Sequence, residues 1–305
     1  MENEIIGLKD FKIFLQGVIN SSPSTSQYRT LNIEHIITCL YENLTYRSIG
    51  ELLNVTKLDT NNLQKVVILK GIFCYRIFSI FNQSKTLHIK PHYRIMLWDL
   101  LYESFALDED SNMFHGAQGF YTIPIFHKKN TKGFTALRLH IWKEGSEENH
   151  DDRFKIHSHL CYAKSLVLYG KILNTEYKTE VTVNRNAESS LFFVKWQTPA
   201  SKNINQQTSI LQNTGINILY YQSRQDEISE GSIYEIKEGD YHSSVSVMDS
   251  NVKINATIFM FNSEKGWTEN GYVIGPSEIS QTQTVRNPVE SAKMIIDELN
   301  CAMKN

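Results

Sequence analysis

At 305 residues, with 41% apolar side chains, the chain is long enough to bury a core as one large domain or two modest ones. Its 31 basic and 33 acidic side chains leave a formal charge of -2, which excludes a global attraction to nucleic acid or anionic lipid. The acidic start MENEIIGLKDFK lacks the positive stretch of a secretory signal, and no apolar run reaches the roughly 20 residues of a membrane span, so a cytoplasmic protein without a membrane partner is expected.

From about Asn32 to Ala106 apolar residues recur at helical intervals, in IEHIITCLYENL, LQKVVILKGIFCYRIFSIF and YRIMLWDLLYESFAL. The spacing predicts three or four helices and a helical region over 1–110. Asp59, Thr60, Asn61 and Asn62 offer caps for the second of these helices, and Pro91 suits the first turn of the third.

After the acidic stretch Leu107 to Asp110 the pattern changes to short runs rich in aromatic and β-branched residues. These are FYTIPIF, FTALRLHIW, FKIHSHLCY, KSLVLYGKIL, YKTEVTV, SLFFVKW, INILYYQ, SIYEI and KINATIFMF. Turn-forming clusters at 128–133, 145–152 and 238–241 separate several of them, as in an antiparallel β-barrel or jelly roll over 111–282. The segment 283–305 returns to helical spacing from Pro288 to Met303. The expected class is α+β, with a helical N-terminal region, a β-barrel and a C-terminal helix.

The four cysteines, Cys39, Cys74, Cys161 and Cys301, show no paired spacing and are expected as reduced thiols. The histidines carry more. In FKIHSHLCYAKSLVLYGKI alternation along a strand places His157, His159, Cys161 and Ala163 on one face. Two imidazoles then converge on one point and can hold adjacent positions around a transition metal. Two ordinary half-buried histidines are the bland alternative.

These residues resemble the cupins, whose first motif has His-x-His, a glutamate and a closing glycine, here Gly170. The second cupin motif, a glycine turn followed by histidine, is matched by Glu238-Gly239-Asp240-Tyr241-His242. The resemblance covers about Phe134 to Asn262 and implies His242 as the third metal ligand. At the position of the cupin glutamate stands Ala163, or Lys164 in the alternative register. A three-histidine cupin without that carboxylate is similar to non-haem iron dioxygenases, the cysteine and cysteamine thiol dioxygenases among them, although Ser158 replaces their usual aspartate.

What the resemblance implies is an Fe(II)-dependent oxygenase acting with O2 on a small polar or anionic substrate. Imidazole ligands also suit Zn, Ni, Cu or Mn. The alternative is a non-oxygenase cupin, either a metal-dependent isomerase or lyase or a ligand-sensing module. Arg138, His140 and Trp142 alternate on one strand and face either the site or solvent.

For substrate contacts the expectation falls on Arg138, His140, Cys161 and Trp267, with Tyr162 and Tyr241 turned away and one of Tyr220 and Tyr221 facing inward. His115 is read as structural, and His35, His88, His92, His127 and His150 as surface residues. The helical region is expected as a lid, a homodimer contact or a partner surface.

Overall fold

The computed structural model describes residues 3–304 except 24, 43, 59, 84–87, 109–111, 117, 147–150, 185, 197–207, 251, 286 and 290–291. Asp59, Glu109, Asp110 and His150 therefore lie outside the described residues. The chain divides into two compact units: Met1–Asn112 with Pro124–Lys128 and Ser291–Asn305, and Met113–Ile123 with Lys129–Glu290.

In the helical unit, β1 (Ile5–Gly7), α1 (Leu8–Ser21), α2 (Ile33–Tyr41), β2 (Tyr46–Ser48), α3 (Ile49–Leu58), α4 (Asn62–Gln83) and α5 (Pro91–Leu107) follow one another. Strands β1 and β2 pair antiparallel. Helix α1 precedes the region that periodicity marked as helical, and it buries Phe11, Leu15, Val18 and Ile19 on one stripe. Asn61 starts α4 with a reciprocal cap: its Oδ1 accepts from Gln64 N at 2.9 Å while Gln64 Oε1 accepts from Asn61 N at 3.3 Å. Pro91 occupies the first turn of α5, as expected.

The end of α5 holds a buried ion pair. Lys70 Nζ from α4 donates to Asp108 Oδ2 at 2.5 Å, and the Tyr28 hydroxyl donates to Oδ1 of the same carboxylate at 2.5 Å. The Asp108 side chain is 1% exposed and that of Lys70 8%. The ammonium also stands 5.2 Å from the Phe105 ring centroid.

The second unit contains β3 (Phe114–His115), β4 (Tyr121–Lys129, of which 124–128 group with the helices), β5 (Phe134–Lys143), β6 (Cys161–Tyr169), β7 (Lys171–Val181), β8 (Ser189–Trp196), β9 (Thr208–Ser229), β10 (Ile233–Ile236), β11 (Tyr241–Ser246), β12 (Ile254–Trp267), β13 (Tyr272–Pro276), β14 (Gln281–Val285) and β15 (Asn287–Pro288). The final helix α6 (Ala292–Lys304) belongs to the helical unit, where Trp98 Nε1 donates to Asn300 Oδ1 at 3.0 Å.

The strands form two antiparallel sheets rather than one closed barrel. One has the order β10-β6-β12-β5-β4-β3-β15; the other has β11-β7-β9-β8-β13, with β14 also on β9. They pack face to face, Trp142 and Val167 of the first clustering with Ile172 and Ile228 of the second. The two edge strands of the smaller sheet, β11 and β13, come together at one residue: His157 makes an isolated bridge to His242 and another to Val273.

Several sequence expectations change here. FKIHSHLCY is not one strand, because the stretch before Cys161 leaves the larger sheet to reach these edges. KSLVLYGKIL is split by Gly170 between β6 and β7, and YKTEVTV continues β7. His127 is buried in β4, and Tyr220 and Tyr221 are both exposed on β9. No helix among the described residues is long and apolar enough to cross a membrane.

Gly170 has φ +76°, and a Cβ there would stand 1.6 Å from Asn255 Oδ1, the atom that accepts from Lys171 N at 2.6 Å. Gly170→Ala is expected to destabilise the protein by about 3 kcal/mol, from left-handed strain and the displaced asparagine, measured by denaturant unfolding.

Candidate metal centre

The segment 156–160 is held from both sides by main-chain bonds. His157 N donates to His242 O at 3.0 Å and His242 N returns to His157 O at 2.9 Å. Ser158 N donates to Tyr272 O, and Ile274 N to Ile156 O, each at 2.8 Å. The Gly239 turn closes the other side, with Gly239 N donating to His159 O at 3.0 Å and φ of +80°. Alternation along this extended stretch turns His157 and His159 one way and Ser158 the other, where the serine hydroxyl exchanges hydrogen bonds with the Tyr272 backbone.

The result is a cluster of three imidazoles, His157, His159 and His242, whose nearest ligand atoms lie within 4.8 Å of one another. Ring centroids are 4.7 to 5.0 Å apart. The tautomers follow from the neighbours. His157 Nδ1 lies 2.9 Å from Lys155 O and donates to it, leaving Nε2 with a lone pair. His242 Nδ1 lies 3.0 Å from Asn174 Oδ1 and donates likewise. Ser244 Oγ also donates to that asparagine oxygen, which holds the amide in place.

Burial, followed by the positive potential of His157, holds His242 well below the usual imidazole pKa. Burial lowers His159 in the same direction, with help from His157, His242, His140 and Arg138. The lone pairs are therefore available at neutral pH. His159 Nε2 and His242 Nε2 stand 2.9 Å apart. Two nitrogens bound to one first-row ion at about 2.1 Å are about 3.0 Å apart at a right angle and about 3.4 Å apart at the tetrahedral angle. The spacing of this pair fits adjacent octahedral positions, and with His157 the three imidazoles form a group that could hold a metal ion.

Around this cluster the larger sheet contributes an aromatic and cationic wall. The rings of Phe259 and Phe261 lie 5.5 and 5.1 Å from His159. The Arg138 guanidinium stands 5.3 Å from the Phe261 centroid, and His140 stacks on Phe259 at 5.1 Å. Arg138 and His140 thus face the interior on the His159 side, one of the two orientations that their alternation allowed.

Cys161 and Trp267 group elsewhere on that wall, with Phe134, Ala136 and Phe261. Burial pushes the Cys161 thiol up to about 12, and its Sγ points to Phe134 O at 3.9 Å, so it is a protonated packing residue. Ala163 is fully buried against Ile236 and Phe259, and the neighbouring Lys164 pairs with Glu235 at 2.9 Å. Tyr241 packs with Ile156 and Ile274, away from the imidazoles. His115 is buried, its ring 4.8 Å from Tyr121.

Gln118 is a residue that sequence reasoning passed over. Its amide nitrogen lies 3.1 Å from Nε2 and 3.2 Å from Nδ1 of His157. The available signal was FHGAQGF, where two glycines flank it.

Fold and site together define a helical unit joined in sequence to an antiparallel two-sheet β unit that carries a three-histidine group able to hold a metal ion. The sequence matches no protein-family model and no curated protein. Among solved structures it is similar to CapF crystallised with the inhibitor 3-isopropenyl-tropolone, at 12% identity and a TM-score of 0.24, over 82% of this chain and 60% of that one. It is also similar to the capsular polysaccharide assembling protein CapF from Staphylococcus aureus, at 11% identity and a TM-score of 0.24, over 82% and 57%. The chain spans about three fifths of the length of these structures.

Proposed function

We propose that the chain is a cupin-type, non-haem Fe(II)-dependent oxygenase acting on a small polar or anionic substrate. The observation that carries this reading is the convergence of three imidazoles, with no carboxylate in the group among the described residues. Fe(II) held by three neutral ligands keeps its full double charge and supplies open positions where substrate and O2 meet.

The chain's own groups have separable tasks. Lys155 O and Asn174 fix the ring orientations of His157 and His242. Phe259 and Phe261 pack edge-on against the half-buried His159. Arg138 supplies a planar cation beside them, suited to a carboxylate or another anionic end.

The test is oxygen uptake by the iron-loaded full chain against small thiols, amino acids and aromatic acids. Arg138→Gln is expected to raise KM for an anionic substrate about 10-fold or more while changing kcat less, as for loss of a charged binding contact. Absence of uptake with every class tested, in protein that holds iron stoichiometrically, would sink the oxygenase reading. An isomerase or lyase would then be the next candidate.

A further inference from the structure

The larger sheet turns two rows of side chains toward the space between the sheets, and two hydroxyls on these rows make no bond. Cross-strand partners share a face, so Tyr234, Ser165, Phe259 and Arg138 stand side by side across β10, β6, β12 and β5. Val167, Thr257 and His140 form the next row, which places Thr257 diagonal to both Ser165 and Arg138. The rows adjoin the histidine cluster. Phe259 lies 5.5 Å from the His159 ring, and His140 stacks on Phe259.

Ser165 and Thr257 are 0% exposed, yet Ser165 Oγ and Thr257 Oγ1 close no hydrogen bond among the described residues. A buried hydroxyl left so costs stability, and an apolar side chain of the same shape would serve the fold as well. Burial pushes the Tyr234 phenol up while the nearby Ser165 and Ser244 hydroxyls pull it back, so a third hydroxyl stands beside the row. Tyr234 and Arg138 are only half-buried although both point between the sheets, and the surface they keep faces that interior space.

We propose that Ser165 and Thr257, with Arg138 on the same face, form the substrate-reading surface of the centre, and that the substrate is a small hydroxy acid. Its carboxylate would meet the guanidinium, and its alcohol groups the two side-chain hydroxyls. Serine and threonine hydroxyls both donate and accept, as an alcohol does. Neither row carries a carboxylate, so the ammonium of an amino acid finds no counter-charge on them. A plain alkyl or aryl acid would leave both hydroxyls unpaired. The inference rests on the reading above, in which an anionic substrate enters beside the three histidines.

The experiment titrates the Co(II)-loaded full chain with 2,3-dihydroxypropanoate, propanoate, serine and benzoate, by calorimetry and by the visible Co(II) absorption. Wild type is expected to bind 2,3-dihydroxypropanoate about 100-fold more tightly than propanoate or benzoate, with serine weaker than the hydroxy acid. Ser165→Ala and Thr257→Val are each expected to cut that preference about 10-fold. Their unfolding midpoints are expected to stay at or above wild type, since each change removes an unpaired buried hydroxyl.

No binding of the hydroxy acid, equal affinities for the four acids, or a preference that both variants keep would overturn the proposal while the histidine centre stood. The two hydroxyls would then hold no more than a bridging water. Variants that lose stability without losing the preference would mark structural hydroxyls and overturn it too. Hydroxy-acid preference without oxygen uptake by the iron-loaded chain would remove the oxygenase reading and leave this surface in place. If wild type takes up no Co(II), the centre and the surface fall together.

Discussion

His242→Ala is expected to lower transition-metal affinity more than about 100-fold and to leave protein purified without chelators free of stoichiometric metal, as measured by elemental analysis. The imidazole is one of three that can hold the ion, and its Nε2 stands 2.9 Å from that of His159. Removing it leaves two nitrogens, too few to hold a first-row ion against competing buffer ligands. The fold is expected to survive. His242 is tied to His157 through backbone atoms, and Asn174 Oδ1 keeps the Ser244 hydroxyl as a donor when the imidazole is gone. Circular dichroism and the unfolding midpoint should therefore stay close to wild type while metal content collapses. If His242→Ala retained one equivalent of metal, the site would lie elsewhere.

Asp108→Ala is expected to cost about 3–5 kcal/mol of stability, read from denaturant unfolding with α-helical circular dichroism as the probe. Lys70 would keep a buried ammonium among Phe105 and the Tyr28 ring after its carboxylate had gone. The Tyr28 hydroxyl would lose its acceptor at the same stroke. The double change Lys70→Met with Asp108→Leu is expected to recover most of the loss, because it removes both charges and fills the space with apolar atoms. A double variant as unstable as Asp108→Ala would show that the loss arises from packing at the end of α5.

These two residues also show where sequence reading succeeded and where it stopped. His157, His159 and His242 were legible because His-x-His and a glycine turn before histidine are local patterns, and the structure brings the three within reach of one another. Asp108 looked like part of an acidic linker. Its burial depends on Lys70, 38 residues earlier on another helix, and no local pattern records such a partner. Gln118 was hidden in the same way, 39 residues from His157.

The strands follow a similar division. Runs such as FTALRLHIW and KINATIFMF became β5 and β12 because their apolar alternation is their own. Strand β11 carries His242, Ser243 and Ser244, polar residues that make sense only beside Asn174 and the histidine segment, so periodicity could not mark it. The change from a closed barrel to two sheets has the same origin. Strand runs announce themselves in sequence, whereas which edges meet is decided by one residue, His157.

That meeting point has a consequence for how an ion would be received. His157 acts as a keystone: its amide and carbonyl lock β11, while Ile156 and Ser158 on either side lock β13. All of these bonds belong to the main chain. The imidazole that projects from the keystone is spare to the architecture, oriented before any ion arrives. Capture then requires no coupled folding, in contrast to small zinc domains whose chain orders only around the metal. The ion-free protein is expected to keep its shape, and ions of different preference can be exchanged in the same scaffold, so the choice of metal rests with supply and with the donors around the three nitrogens.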